Sequence, residues 1–139
     1  KKKVGEVDED VQWQVNATLE NDDFHTLVRA ASAIQGNELV TLNPTKDIIG
    51  NSVLQFTFGE RMEFSNKVEF HVAANFEDNV REDNKIPFSS EMLREIFNAH
   101  KTSDECQLSF VDDGLLRLIF RSEDENIDST YFVVRKADY

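Results

Sequence analysis

One cysteine, two prolines and five glycines leave this 139-residue sequence short of several structural and chemical devices. Cys106 is alone, so no internal disulfide can form; it alternates with Leu108 and Phe110, which places it on a buried strand face in a reducing compartment. So few glycines leave little material for loops that cradle phosphate. No GxGxxG, P-loop or GxSxG pattern occurs. The histidines are His25, His71 and His100, and no two stand at i, i+4 or as an HxH pair, so neither a metal site nor a cofactor is expected. The carboxylates lie in loop-like runs at 6–10, 77–83 and 123–128, and none is marked as a catalytic pair. No apolar run approaches the ~18 residues of a membrane span. No signal-peptide pattern is present, and the expected location is cytoplasmic. The chain begins at Lys1 rather than Met and is read as a fragment or a processed form.

Basic charge is also scarce. Fifteen Lys and Arg stand against 27 Asp and Glu, a net charge of −12. A surface of that sign does not hold nucleic acid over its whole area, because phosphate contact needs cations. It leaves room for a small basic face, and it favours basic partners.

What is abundant is core material. Hydrophobic residues make up 40% of the chain, with eleven phenylalanines among them. A chain this long buries about 70% of its unfolded surface without disulfides or metals. Residues 1–10 are polar and read as a flexible arm or a cloning remnant; 11–139 read as a single domain. Val11, Trp13, Val15, Ala17 and Leu19 alternate as in a half-buried strand. A helix follows over about 22–34, with Asn21 or Asp22 as its cap and Phe24, Leu27, Val28, Ala31 and Ile34 as its apolar stripe. Gly36 and Asn37 suit its stop. Strands are expected at Leu39–Leu42, Val53–Phe58 and Val68–Phe76, with "NPTKD", "GERMEFSN" and "EDNVREDN" as connectors.

The second half opens with Ile86 and Phe88 as a short strand running into a helix over 89–101, with Leu93, Ile96 and Phe97 as its stripe. Strands follow at Glu105–Val111, Leu115–Phe120 and Ser129–Arg135, the first two joined by "DDG" at 112–114. Each half (about 11–80 and 81–139) therefore has the order strand, helix, strand, strand, strand. The repeat predicts an α+β domain with two helices packed side by side on antiparallel sheets.

The polar faces of the two helices are the candidate site. His25, Arg29 and Ser32 stand at i, i+4 and i+7 on the first, and Arg94, Asn98 and Lys101 on the second, so each trio shares one face. No acid interrupts either line, although Glu91 and Glu95 flank the second. Two adjacent helices of this kind would offer a weakly basic strip to a phosphate backbone; two ordinary solvated faces are the plainer alternative.

"IPFSSEMLREIFNAHK", "CQLSFVDDGLLRLIF" and "STYFVVRKAD" are similar to the closing helix and strands of DNA sliding-clamp domains, the polymerase processivity factors. From "VNATLENDDFHTLVRAASAI" to "KVEFHVAANF" the spacing resembles the C-terminal domain of the trimeric clamp of T-even-type bacteriophages. The resemblance spans about 11–138. It implies a bacteriophage origin and a homo-oligomeric ring joined through edge strands. The ring's inner helices would contact double-stranded DNA without reading sequence. Its partners would be DNA polymerase and the clamp loader, with no chemistry and no membrane. Carried over by position, Arg29, Arg94 and Lys101 would face DNA, with His25 and Asn98 as weaker contacts. The alternative is an acidic protein-interaction module of clamp-like fold that does not encircle DNA.

Overall fold

The computed structural model describes residues 12–33, 38–59, 67–111, 113–122 and 127–136. The expected N-terminal arm, Val11, Ile34 at the end of the expected first helix, the helix stop at Gly36 and Asn37, Asp112 of the "DDG" turn and most of the "GERMEFSN" connector lie outside them. The element order is β1 (Val15–Glu20), α1 (Asn21–Ala33), β2 (Leu39–Lys46), β3 (Ser52–Phe58), β4 (Val68–Phe76), β5 (Ile86–Ser89), α2 (Ser90–Ala99), β6 (Glu105–Val111), β7 (Leu115–Arg121) and β8 (Ile127–Val134). The repeated order of strand, helix and three strands is therefore present in both halves.

All strand pairs are antiparallel, in the order β5-β2-β3-β4-β1-β6-β7-β8. The pairing follows the repeat. β1 pairs with the last strand of its own half and the second strand of the other. β5 pairs with the second strand of the other half, and it meets the last strand of its own through one bond, from the Lys136 N–H to the Pro87 carbonyl at 2.9 Å. The proline explains why this closure is so slight. Alternation along β2 turns the polar groups of Pro87 away from β2, so its missing N–H costs that ladder nothing but cannot answer β8.

Pro44 obeys the same rule and corrects an expectation. The sequence suggested that β2 ended at Leu42 and that Pro44 lay in a connector. Instead the strand runs to Lys46, with Pro44 opposite Leu54 of β3. β5 covers β2 only over Leu39–Leu42, so Pro44 sits where its N–H would face an open edge; its carbonyl accepts the Asp83 N–H at 2.8 Å.

One face of the sheet carries both helices. Phe24, Leu27, Ala30 and Ala31 of α1 and Leu93, Ile96 and Phe97 of α2 are buried, joined by Leu54, Phe56 and Phe58 of β3 and Leu116, Leu118 and Phe120 of β7. The helices meet directly: the Phe24 and Phe97 rings lie 5.4 Å apart, and both contact Phe120, at 5.5 and 5.2 Å. Cys106 is buried in the same core, and burial pushes its thiol up, so it is inert as a nucleophile.

The abrupt passage from β5 into α2 has a local cause. Ser89 is both the last strand residue and the helix cap, with its extended backbone at φ −69° and ψ 117°; its hydroxyl accepts the Met92 N–H at 3.1 Å. α1 begins differently from expectation. The Asn21 side chain does not cap it but donates 2.7 Å bonds to the carbonyls of Lys101 and Ser103, tying the start of α1 to the exit of α2. Asp23 instead reaches back to accept the Glu20 N–H at 2.9 Å. β1 also starts later than expected, at Val15, leaving Trp13 outside the strand.

At the end of α2, His100 caps through its N–H to the Phe97 carbonyl, stacks on Phe120 at 4.5 Å and shares a 2.7 Å hydrogen bond with Tyr131. Beside it, the Ser103 and Ser122 hydroxyls donate to Asp128 and hold its carboxyl below the usual range, with a smaller contribution from the charge of His100.

Two outcomes follow. Phe97→Ala should cost about 3–5 kcal/mol in chemical denaturation, because it leaves a cavity between both helices and the sheet. Asp128 is ionised more readily folded than unfolded, so its contribution is present above its ordinary value of 3.8 and vanishes as pH falls through the lower folded value. Denaturation midpoints of wild type and Asp128→Asn should therefore converge in that acid window and separate above it.

Candidate nucleic-acid interface

With Phe24 and Phe97 pressed together, the opposite sides of α1 and α2 share one surface of the molecule. His25, Arg29 and Ser32 are exposed on α1. On α2, Asn98 is exposed and Arg94 is half-buried. Lys101 is exposed but does not extend the helical line as expected. α2 ends at Ala99 and Lys101 stands in the turn beyond the cap. Its carbonyl, held by Asn21, fixes that turn against the start of α1.

The electrostatics of this surface are mixed. Among the described residues, Arg29, Arg94 and Lys101 make no ion pair or side-chain hydrogen bond, so their charges are uncommitted. Glu91 and Glu95 are exposed on α2, and neither helix carries a basic residue in its last turn. Among the described residues the surface carries scattered cations and no basic cluster. No group of three or more His, Cys, Asp or Glu among the described residues could hold a metal ion.

Two further features were not picked out in the sequence. The first is a pair of open strand edges. β1 accompanies β4 only over Ala74–Phe76, while β4 continues to Val68 beside β3. β8 runs beside β7 for its whole length, with only the Lys136–Pro87 bond on its other side. β4 and β8 are the corresponding last strands of the two halves, and among the described residues no strand covers the edge of Val68–Ala73 away from β3 or the edge of Ile127–Val134 away from β7. Strand alternation was visible in both segments; which of them lacks a neighbour is a property of the assembled sheet.

The second is a cleft of about 420 Å³ on the face away from the helices, where β4 parts from β1. Asn16, Thr18, Asn75, Gln107, Ser109 and Arg117 supply its polar lining. Arg117 donates to the Ser109 hydroxyl at 3.1 Å and lies 4.7 Å over the Trp13 ring; Ser109 in turn donates to Asn16 at 2.7 Å. Burial lowers the Arg117 pKa from its ordinary value.

Among solved structures, the chain is similar to the PCNA2–PCNA3 complex of Sulfolobus tokodaii, with a TM-score of 0.70 and 13% identity over 93% of this chain and 50% of that one. It is also similar to proliferating cellular nuclear antigen of Entamoeba histolytica, with a TM-score of 0.67 and 18% identity over 91% of this chain and 47% of that one. The fold is that of a sliding-clamp domain. The chain spans about half the length of these clamps. No protein-family model and no curated protein sequence matches it.

Ladder parity sets the behaviour of the open edges. On β4, Phe70 and Val72 turn their N–H groups to β3, and Glu69 and His71 turn theirs outward; on β8, Tyr131 and Val133 face β7, and Thr130 and Phe132 face outward. In the isolated chain, amide exchange should be fast at Glu69, His71, Thr130 and Phe132 and slow at the other four. Uniform protection along either strand would mean that the edge is already covered.

Proposed function

We propose that this chain is one domain of a DNA polymerase sliding clamp, which encircles double-stranded DNA without reading its sequence and tethers the replicative polymerase for processive synthesis. The observation that carries the reading is the clamp fold with both repeat helices side by side on one face of the sheet. In a ring, that face turns toward the duplex. Arg29 supplies the α1 cation, Arg94 and Lys101 the α2 end, and His25 and Asn98 neutral polar contacts. Glu91 and Glu95 keep the grip weak, which suits a ring that retains DNA by topology and must slide.

Ring closure needs more than this chain, which spans about half the length of the similar clamps. The open edges of β4 and β8 supply the joints. An edge strand of one domain adds to the free edge of the next, so the outer sheet runs continuously around the ring. This is a homo-oligomeric arrangement with polymerase and clamp loader as protein partners. A clamp performs no bond chemistry; the inert Cys106 and the scattered carboxylates are consistent with a scaffold. The sequence spacing over 15–76 supports the finer likeness to the T-even phage clamp and with it a viral origin. The residues 11–139 act as one clamp domain behind a polar arm.

The test is charge reversal in the full-length protein. Arg29→Glu with Arg94→Glu and Lys101→Glu should abolish processive synthesis while leaving ring assembly intact by native mass spectrometry. The dependence of duplex binding on log salt should flatten by about 0.9 for each cation that contacts a phosphate. Glu91→Lys with Glu95→Lys should act in the opposite direction, tightening duplex binding and slowing sliding. Processivity that survives the triple reversal, or a full-length protein that is only monomeric, would overturn the reading.

A further inference from the structure

The turn between β2 and β3 carries two isoleucines that the fold does not use. Ile48 and Ile49 are 103 and 82% exposed. Their neighbours alone specify the turn. The Gly50 N–H donates to the Asp47 carbonyl at 3.0 Å, and the Asp47 N–H to the Asn51 carbonyl at 3.0 Å. The Asp47 carboxylate accepts the N–H groups of Ile49 and Asn51 at 3.1 and 2.8 Å. Gly50 sits at φ 91°, where a side chain would be strained. Asp at the first position and Gly at the fourth are what such a turn needs, and its two central positions are usually polar. Two adjacent β-branched apolar residues there serve no local purpose.

The tip is also held in place. Thr45 donates to the Asp83 carboxylate at 2.7 Å, and the Asp83 N–H bonds the Pro44 carbonyl. Lys46 lies 4.0 Å from Glu82 and 5.1 Å from the centre of the Phe76 ring. These contacts dock the base of the turn onto the loop that follows β4, and that loop is acidic. Glu77, Asp78, Glu82 and Asp83 are all exposed, against Arg81 and Lys85. The result is a fixed apolar protrusion whose base is docked on an acidic loop through Glu82 and Asp83.

We propose that the Ile48–Ile49 tip is a docking plug, inserted into an apolar pocket on a partner protein whose rim carries Lys and Arg. Charge selects this occupant. A second copy of the chain would set its own acidic loop against this one, so like charge disfavours it at this tip. An anionic lipid surface is repelled for the same reason. A basic-rimmed pocket gains the apolar contact at its centre and opposite charges at its edge, the usual anatomy of a protein interface. The tip lies at the strand turn, apart from the helix faces and the open edges, so this site stands whether or not the clamp reading holds.

The test begins with p-benzoylphenylalanine in place of Ile48 in the full-length protein, cross-linked in the cells that make it. The expected product is one protein, joined at an apolar segment flanked by Lys or Arg. Against that purified protein, Ile48→Ser with Ile49→Ser should weaken binding about tenfold or more, equivalent to about 1.4 kcal/mol. Glu77→Lys with Asp78→Lys should weaken it severalfold and flatten its salt dependence. Neither variant should shift thermal unfolding, because all four side chains are exposed. A cross-link to a second copy, to lipid or to no single protein would overturn the proposal. So would affinity that the double serine variant leaves unchanged.

Discussion

The contact between Phe24, Phe97 and Phe120 is the constraint from which the rest of the molecule follows. One ring comes from each helix and the third from β7, and each touches the other two within 5.5 Å. Aromatic packing of this kind is directional as well as apolar, so it fixes how the helices sit and not merely that they are buried. Once the inner sides of α1 and α2 are committed to this contact, their outer sides have to form a common surface. The polar tie from Asn21 to the carbonyls beyond α2 reinforces the same arrangement at the helix ends.

The two prolines act on the sheet as the aromatic contact acts on the helices. Each occupies a strand position whose N–H would point at an open edge, so each leaves its own ladder intact and limits the next one. Pro87 keeps β5 from building a second ladder toward β8. The chain thus approaches a closed, symmetric sheet and stops short of it. β1, which has no proline, pairs on both sides; β5, its counterpart, pairs on one. That asymmetry leaves β8 with an open edge, and the parting of β4 from β1 leaves the other. The fold thus leaves one open edge in each half.

Local chemistry was legible because it depends on near neighbours in the chain. The strand over Leu115–Phe120 and the apolar stripe of Leu93, Ile96 and Phe97 follow from spacing, and the structure contains them. The misses have physical reasons. Asn21 looked like a cap, but two distant carbonyls compete for its side chain. Pro44 looked like a strand end, but an edge position tolerates it. Lys101 looked helical, but the cap at His100 closes the helix first. In the same way, Ile48 and Ile49 look like ordinary apolar residues until the turn leaves them without a neighbour.

By itself, the sequence determined the repeat, the α+β class, the core stripes and the acidic balance, because periodicity and charge are carried by residues one to seven positions apart. It also placed the polar line of α1 and, on α2, Arg94 and Asn98, while Lys101 fell in the turn beyond the helix. Only the tertiary structure decided that those two lines share a surface, that β4 and β8 keep open edges, and that an isoleucine pair stands in water. Each of these depends on which distant segment arrives beside another, and no local spacing encodes that.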